Sequence, residues 1–181
     1  VTILWYESWW FVLPYYLYTV LYSTGSQSRE HETGHGTAFK TKTLNRFFFE
    51  LTSFMVLRES FLRTKSHDIH HQHTILTAQD PEIVTPSPPN YRALILNLFM
   101  IERSFKGLRD LCVHSLNRLT EKDRANGFQS LPAGALTKAR LWMAILLLVG
   151  AAAFYFSSWI PLLLIGPFAR WGLQYSIVVY R

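Results

Sequence analysis

The sequence predicts an all-α integral membrane protein, with about three spans, amphipathic interfacial helices and a histidine-rich cytoplasmic region. Three observations predict it. Charge is partitioned: residues 1–22 carry only Glu7 and residues 141–180 only Arg170, whereas residues 23–140 hold 16 of the 18 Lys and Arg and all seven His. Both charge-poor ends are long enough to cross a bilayer, which takes about 20 mostly apolar residues. The tryptophans Trp5, Trp9, Trp10, Trp142, Trp159 and Trp171 lie toward the ends of these runs, where amphipathic rings settle at a membrane–water interface. A helix buried in a soluble protein usually keeps a polar stripe, but "LWMAILLLVGAAAFYF" is apolar on every face.

Three regions follow: a span over 1–22, a cytoplasmic and interfacial region over 23–140, and a transmembrane hairpin over 141–180 that turns near Ser157, Ser158 and Pro161. The first run lacks the basic start and small-residue cleavage site of a signal peptide. The basic loop places residues 23–140 on the cytoplasmic side of an inner membrane or endoplasmic reticulum. The net charge of +6 and pI near 9.6 fit that topology and contact with anionic headgroups; no nucleic-acid partner is expected. The chain opens on Val1 inside an apolar run and stops where the last span reaches the cytoplasm, which reads as truncation at both ends. Cys112 alone forms no internal disulfide and reads as a small buried residue.

Within the polar region, residues 44–62 place Leu44, Phe48, Leu51, Met55 and Leu62 at helical spacing, predicting one amphipathic interfacial helix. "DPEIVTPSPPNY", 80–91, is a Pro-rich loop. Residues 93–119 read as a helix with Phe105, Leu108, Leu111, Cys112, Leu116 and Leu119 on one stripe, and 125–134 as a turn-rich connector.

The chemistry lies in two histidine clusters. His31 and His35 are four residues apart, so on a helix they lie one turn apart and can reach one metal. His67, His70 and His71 fall at i, i+3 and i+4 and share a face. Imidazole suits zinc, iron and copper. The segment His31-Glu32-Thr33-Gly34-His35 also fits H-E-x-x-H, the helix of a zinc protease. That reading needs a regular helix, which Gly34 disfavours, and leaves the second cluster without a task. Ion transport would place ionisable residues inside the spans, where only Glu7 and Arg170 stand.

Together "HETGHGTAF" and "RTKSHDIHHQHTILTAQDPEI" resemble the first two histidine boxes of the membrane fatty-acid desaturase and hydroxylase family, and "SSWIPLLLIGP" resembles the hairpin between its later spans. The resemblance implies a diiron, O2-dependent oxidoreductase that inserts a double bond into an acyl-lipid or acyl-CoA chain. The alternatives are a lipid or alkane hydroxylase, a non-catalytic membrane relative and, more remotely, an H-E-x-x-H membrane zinc protease. It implies His31, His35, His67, His70 and His71 as iron ligands. The neighbouring carboxylates Glu32 and Asp68 would orient imidazoles, and His73 would be a flanking residue. It also implies an external electron donor such as ferredoxin or cytochrome b5, and a bilayer-borne fatty-acyl substrate. The family's third box, a further H-x-x-H-H, has no counterpart here, since no histidine follows His114. His114 itself stands alone and is assigned no role.

Overall fold

In the computed structural model, the described residues are 9–73, 80, 82, 92, 101–158, 160–165 and 169. Among the described residues, a 3-10 turn, Trp9–Phe11, leads into seven helices: α1 Val12–Gly34, α2 Lys42–Met55, α3 Ser60–His73, α4 Ile101–Ser115, α5 Glu121–Ala125, α6 Ala135–Tyr155 and α7 Ile160–Leu164. There is no strand among the described residues, so the all-α expectation holds for them.

The first helix runs past the end of the predicted span. Its 23 residues extend unbroken from an apolar half into a polar one that carries His31, because nothing between Ser23 and Thr33 stops a helix more strongly than Gly25. Pro14 falls in the first turn, where its missing N–H has no helical partner to lose. Residues 1–8 of the predicted span lie outside the described residues. Thr19, Ser23, Ser26, Glu30 and Thr33 form the buried face, while Val12, Leu13, Leu17 and Leu21 are more than half exposed. Thr19 donates its hydroxyl to the Tyr16 carbonyl at 2.8 Å, so a buried polar group is satisfied locally and the surface stays smooth enough for close helix packing.

That face packs on α2, whose own buried residues are Asn45, Thr52 and Ser53. Asn45 ties down the connecting loop: it accepts from the Phe39 N–H at 2.9 Å and donates to the carbonyls of Gly36 at 2.8 Å and Phe39 at 2.7 Å. Leu44 and Leu51 of the predicted apolar stripe are exposed rather than packed on the other helices.

The helix predicted over 44–62 is two helices. It breaks at Val56–Glu59, where Leu57 takes a left-handed φ of 48°. Gly107 of α4 presses its backbone against the Leu57 carbonyl, so closely that a Cβ there would overlap the oxygen. The described part of the 93–119 helix is α4; residues 93–100 lie outside. Its buried face holds Ser104, Leu111 and His114, whereas Phe105, Cys112 and Leu116 of the predicted stripe are exposed.

Leu111 joins Ala139 and Trp142 of α6 in the apolar core, flanked by Phe54, Met143 and Leu146. Phe54 meets the Trp142 ring edge-on, with centroids 5.4 Å apart. Lys138 of α6 pairs with Glu50 of α2, and Ser60 donates to the same carboxylate at 2.9 Å. Gly134 opens α6 at φ 79°, a conformation that suits glycine. By length and composition α6 is the one helix among the described residues able to cross a membrane. It ends at a Phe156–Ser158 turn where Ser157 has φ 47°, close to the predicted hairpin turn. Pro161 sits just after the turn, inside α7. The Tyr18 hydroxyl donates to the Leu164 carbonyl at 2.6 Å, so the apolar end of α1 meets α7. The rest of the second arm of that hairpin lies outside the described residues, apart from Ile165 and Ala169.

Candidate metal centre

His31 lies in the last turn of α1 and His35 directly after its end, with the His35 backbone N–H donating to the His31 carbonyl at 3.2 Å. Gly34 between them permits close contact with α2: a Cβ there would come 3.1 Å from the Phe49 ring. His67, His70 and His71 sit on the second half of α3.

These two segments converge. The Nε2 atoms of His35 and His67 are 3.0 Å apart, and those of His67 and His71 are 3.1 Å apart. One ring nitrogen from each of His31, His35 and His67 fits within 4.8 Å of the other two. The His31 ring lies 4.7 Å from that of His35 and 4.8 Å from that of His67. His70 lies at the edge, 5.8 Å from His67 and 5.7 Å from His71 between centroids, with Nδ1 2.8 Å from Oδ2 of Asp80.

The donor set fits a metal ion. A neutral Nε2 carries either one proton or one lone pair, so that of His67 can hydrogen-bond to one of its two neighbours but not complement both. A shared cation would complement all three lone pairs. Two nitrogens bound at about 2.1 Å and at right angles to one ion stand about 3.0 Å apart, close to the two spacings found. Burial, and then the Arg63 guanidinium, lower the pKa of His31 and push that of His67 down to about 4. Both rings are therefore neutral near pH 7, the form that binds metal.

The carboxylates that touch the imidazoles are not those adjacent in sequence. Glu32 turns outward to Arg29, 2.6 Å away in an exposed i, i+3 pair, and Asp68 is exposed with no imidazole contact among the described residues. Each sits about 100° around its helix from the neighbouring histidine, which carries it off the cluster. Asp80 and Glu82 take up the contacts instead, with Glu82 Oε2 3.4 Å from Nδ1 of His67. Arg63, one turn before His67, and Glu30, one residue before His31, complete a buried network beside them. The spacing of Arg63 four residues from His67 was the sequence signal for it; no local spacing ties residues 80 and 82 to the cluster. His73 closes α3 beyond the cluster.

His114 is fully buried, with the Phe61 ring of α3 edge-on to it at 5.6 Å. It contacts Glu59 through Nδ1 and lies 2.8 Å from Asp123 Oδ2 through Nε2. Asp123 also caps α5 with Thr120 in a reciprocal capping box. Despite burial, hydrogen bonds and charge from both carboxylates raise the His114 pKa to about 9. Both its nitrogens are occupied as donors, so it is a buried cation and no metal ligand.

The family model for fatty acid desaturases matches residues 7–180, and the chain belongs to that family. No curated protein and no solved structure matches it. Membership supports desaturase- or hydroxylase-type oxidoreductase function in the broad sense, and such proteins generally use a diiron centre, a lipid substrate and an electron donor.

Proposed function

We propose that this protein is a membrane-bound, O2-dependent desaturase of fatty-acyl chains, with His31, His35, His67, His70 and His71 holding two irons. The observation that carries the reading is the meeting of His35 and His67 at 3.0 Å from segments 32 residues apart. One N–H···N hydrogen bond accounts for one such contact; the second contact on the same Nε2, His71 at 3.1 Å, is what a shared metal explains. When bound, iron would supply the redox chemistry with O2 that removes hydrogen from an unactivated C–H bond, which redox-inert zinc cannot do. Five imidazoles are fewer than two iron coordination shells require, which leaves positions for further donors.

The chain's own residues supply the rest. Burial keeps His31 and His67 unprotonated. Glu82 and Asp80 face the Nδ1 atoms of His67 and His70, and in His67 this leaves Nε2 turned to His35 and His71. The inverted surface supports placement in a bilayer: Leu141, Leu147, Leu148 and Phe154 of α6 are well exposed, while small and polar residues fill the contacts between helices. A fatty-acyl chain can then approach along the apolar halves of α1 and α6, and a soluble or membrane donor from the basic cytoplasmic side. The protease alternative loses its geometry, because Glu32 points to Arg29 and His35 lies beyond the helix end.

The test is twofold. Anaerobic loading with Fe(II) should give iron bound to the wild type, and His67→Ala and His71→Ala should each lose most of it. Cells producing the intact protein should gain double bonds in their lipids under air, and lose them with His70→Ala. Iron retention unchanged by either histidine substitution would sink the site, and lipids indifferent to His70 would sink the activity.

A further inference from the structure

We propose that Arg63, acting with Glu82, sets the spacing between the two histidine segments and is a positioning residue for the metal centre; this rests on the metal-holding reading above. Arg63 projects from α3 into the contact with α1, its side chain only 7% exposed. Its Nε lies 3.3 Å from Oε2 of Glu30, the residue before His31. Its Nη1 bonds Glu82 and lies 3.0 Å from Nδ1 of His67. Glu82 is held in turn by Arg58 at 3.5 Å and by the Ser66 hydroxyl, which donates at 3.4 Å. One planar guanidinium thus touches the helix of the first cluster, a ligand of the second, and the carboxylate facing that ligand.

The chemistry selects arginine. A rigid fork can address Glu30 and Glu82 in different directions at once, whereas a lysine ammonium is a single point on a flexible stem. Stability alone is a weak reason for such a network, since well-packed apolar residues often replace a buried ion pair without loss. What that explanation leaves out is the contact with His67 Nδ1. With Nε2 left unprotonated for a metal, Nδ1 carries the proton and donates toward Glu82 at 3.4 Å, so Arg63 acts on the ring by holding that carboxylate in place, and the opposite nitrogen is the one that meets His35 and His71. Arg63 contacts neither His35 nor His71 directly among the described residues, so any effect on them passes through spacing.

Metal-stripped protein is titrated with Co2+ and followed by its visible absorption, with circular dichroism and thermal melting recorded in parallel. Arg63→Lys and Glu82→Gln should each weaken Co2+ binding 10- to 100-fold and alter the absorption bands, while helix content is retained. Lys65→Ala, on the exposed side of the same helix, should bind as the wild type does. Should Arg63→Lys fail to fold, Glu82→Gln at the partly exposed end of the network decides the matter. Binding by both folded variants within twofold of wild type, with unchanged bands, overturns the proposal. A wild type that binds no Co2+ overturns the metal-holding reading instead, and this inference with it.

Discussion

Two histidine sites in this protein, one partly open and one fully buried, treat the same side chain in opposite ways. At the metal centre, His67 sits among other imidazoles and beside Arg63, and its pKa falls to about 4. At the α4–α5 corner, His114 sits between Glu59 and Asp123, and its pKa rises to about 9. Burial lowers both. What differs is the neighbour: cations and like rings keep an imidazole neutral and able to bind a metal, whereas two carboxylates turn it into a structural cation. A buried histidine is therefore read by its partners.

The largest effect separating the two sites should come from His114→Ala. Removing the cation leaves Glu59 and Asp123 buried and uncompensated, a loss of about 3–5 kcal/mol. Thermal unfolding in detergent should show it. A variant as stable as wild type at pH 7 would remove the cation from the account.

The same site makes a pH prediction of similar sign and somewhat smaller size. With the folded pKa near 9 and the unfolded one at 6.5, folding takes up a proton between those values. The stabilisation is complete below pH 6.5 and is lost as pH rises through 9, on the order of 3 kcal/mol. Glu59 and Asp123 contact His114, and Asp110 lies nearby with its own pKa raised by burial. Melting temperatures from pH 6 to 10 should fall for wild type, and the fall should be much shallower in His114→Ala.

Gly107→Ala probes how the His114 corner is seated. The added methyl would overlap the Leu57 carbonyl, forcing α4 away from the α2–α3 break at about 1–3 kcal/mol. Gly34→Ala probes the other site, where only the edge of the Phe49 ring must give way. We expect a stability change below about 1 kcal/mol, but a measurable weakening of Co2+ binding, because Gly34 lies between His31 and His35. Stability loss without any change in metal affinity would detach that packing from the site. Smallest of all should be Glu32→Gln, which breaks only an exposed pair with Arg29, within about 0.5 kcal/mol. A large loss of metal affinity there would restore Glu32 as an orienting carboxylate.

How much was legible in the residues follows from how local each signal is. The helical class, the apolar α6 and the turn near Ser157 are statements about consecutive residues, and they read directly. The histidine clusters were legible because three- and four-residue spacings place side chains on one face of a helix before any tertiary contact forms. The break at Leu57 was not, and the residue packed against it, Gly107, lies 50 residues away. Glu32 and Asp68 were chosen for closeness along the chain, yet one residue's rotation about a helix turns each from the cluster. His114 looked like an isolated residue because Glu59 is 55 positions distant and Asp123 belongs to another helix.

By itself, then, the sequence determined the composition of each helix, the imidazoles available and the family to which they belong, since periodicity and motif are properties of neighbours in the chain. Only the tertiary structure decided which carboxylate meets which imidazole, and hence which histidines are neutral and which is charged. The reason is physical: electrostatic and hydrogen-bond effects act over a few ångströms of space, and folding alone brings distant residues within that range.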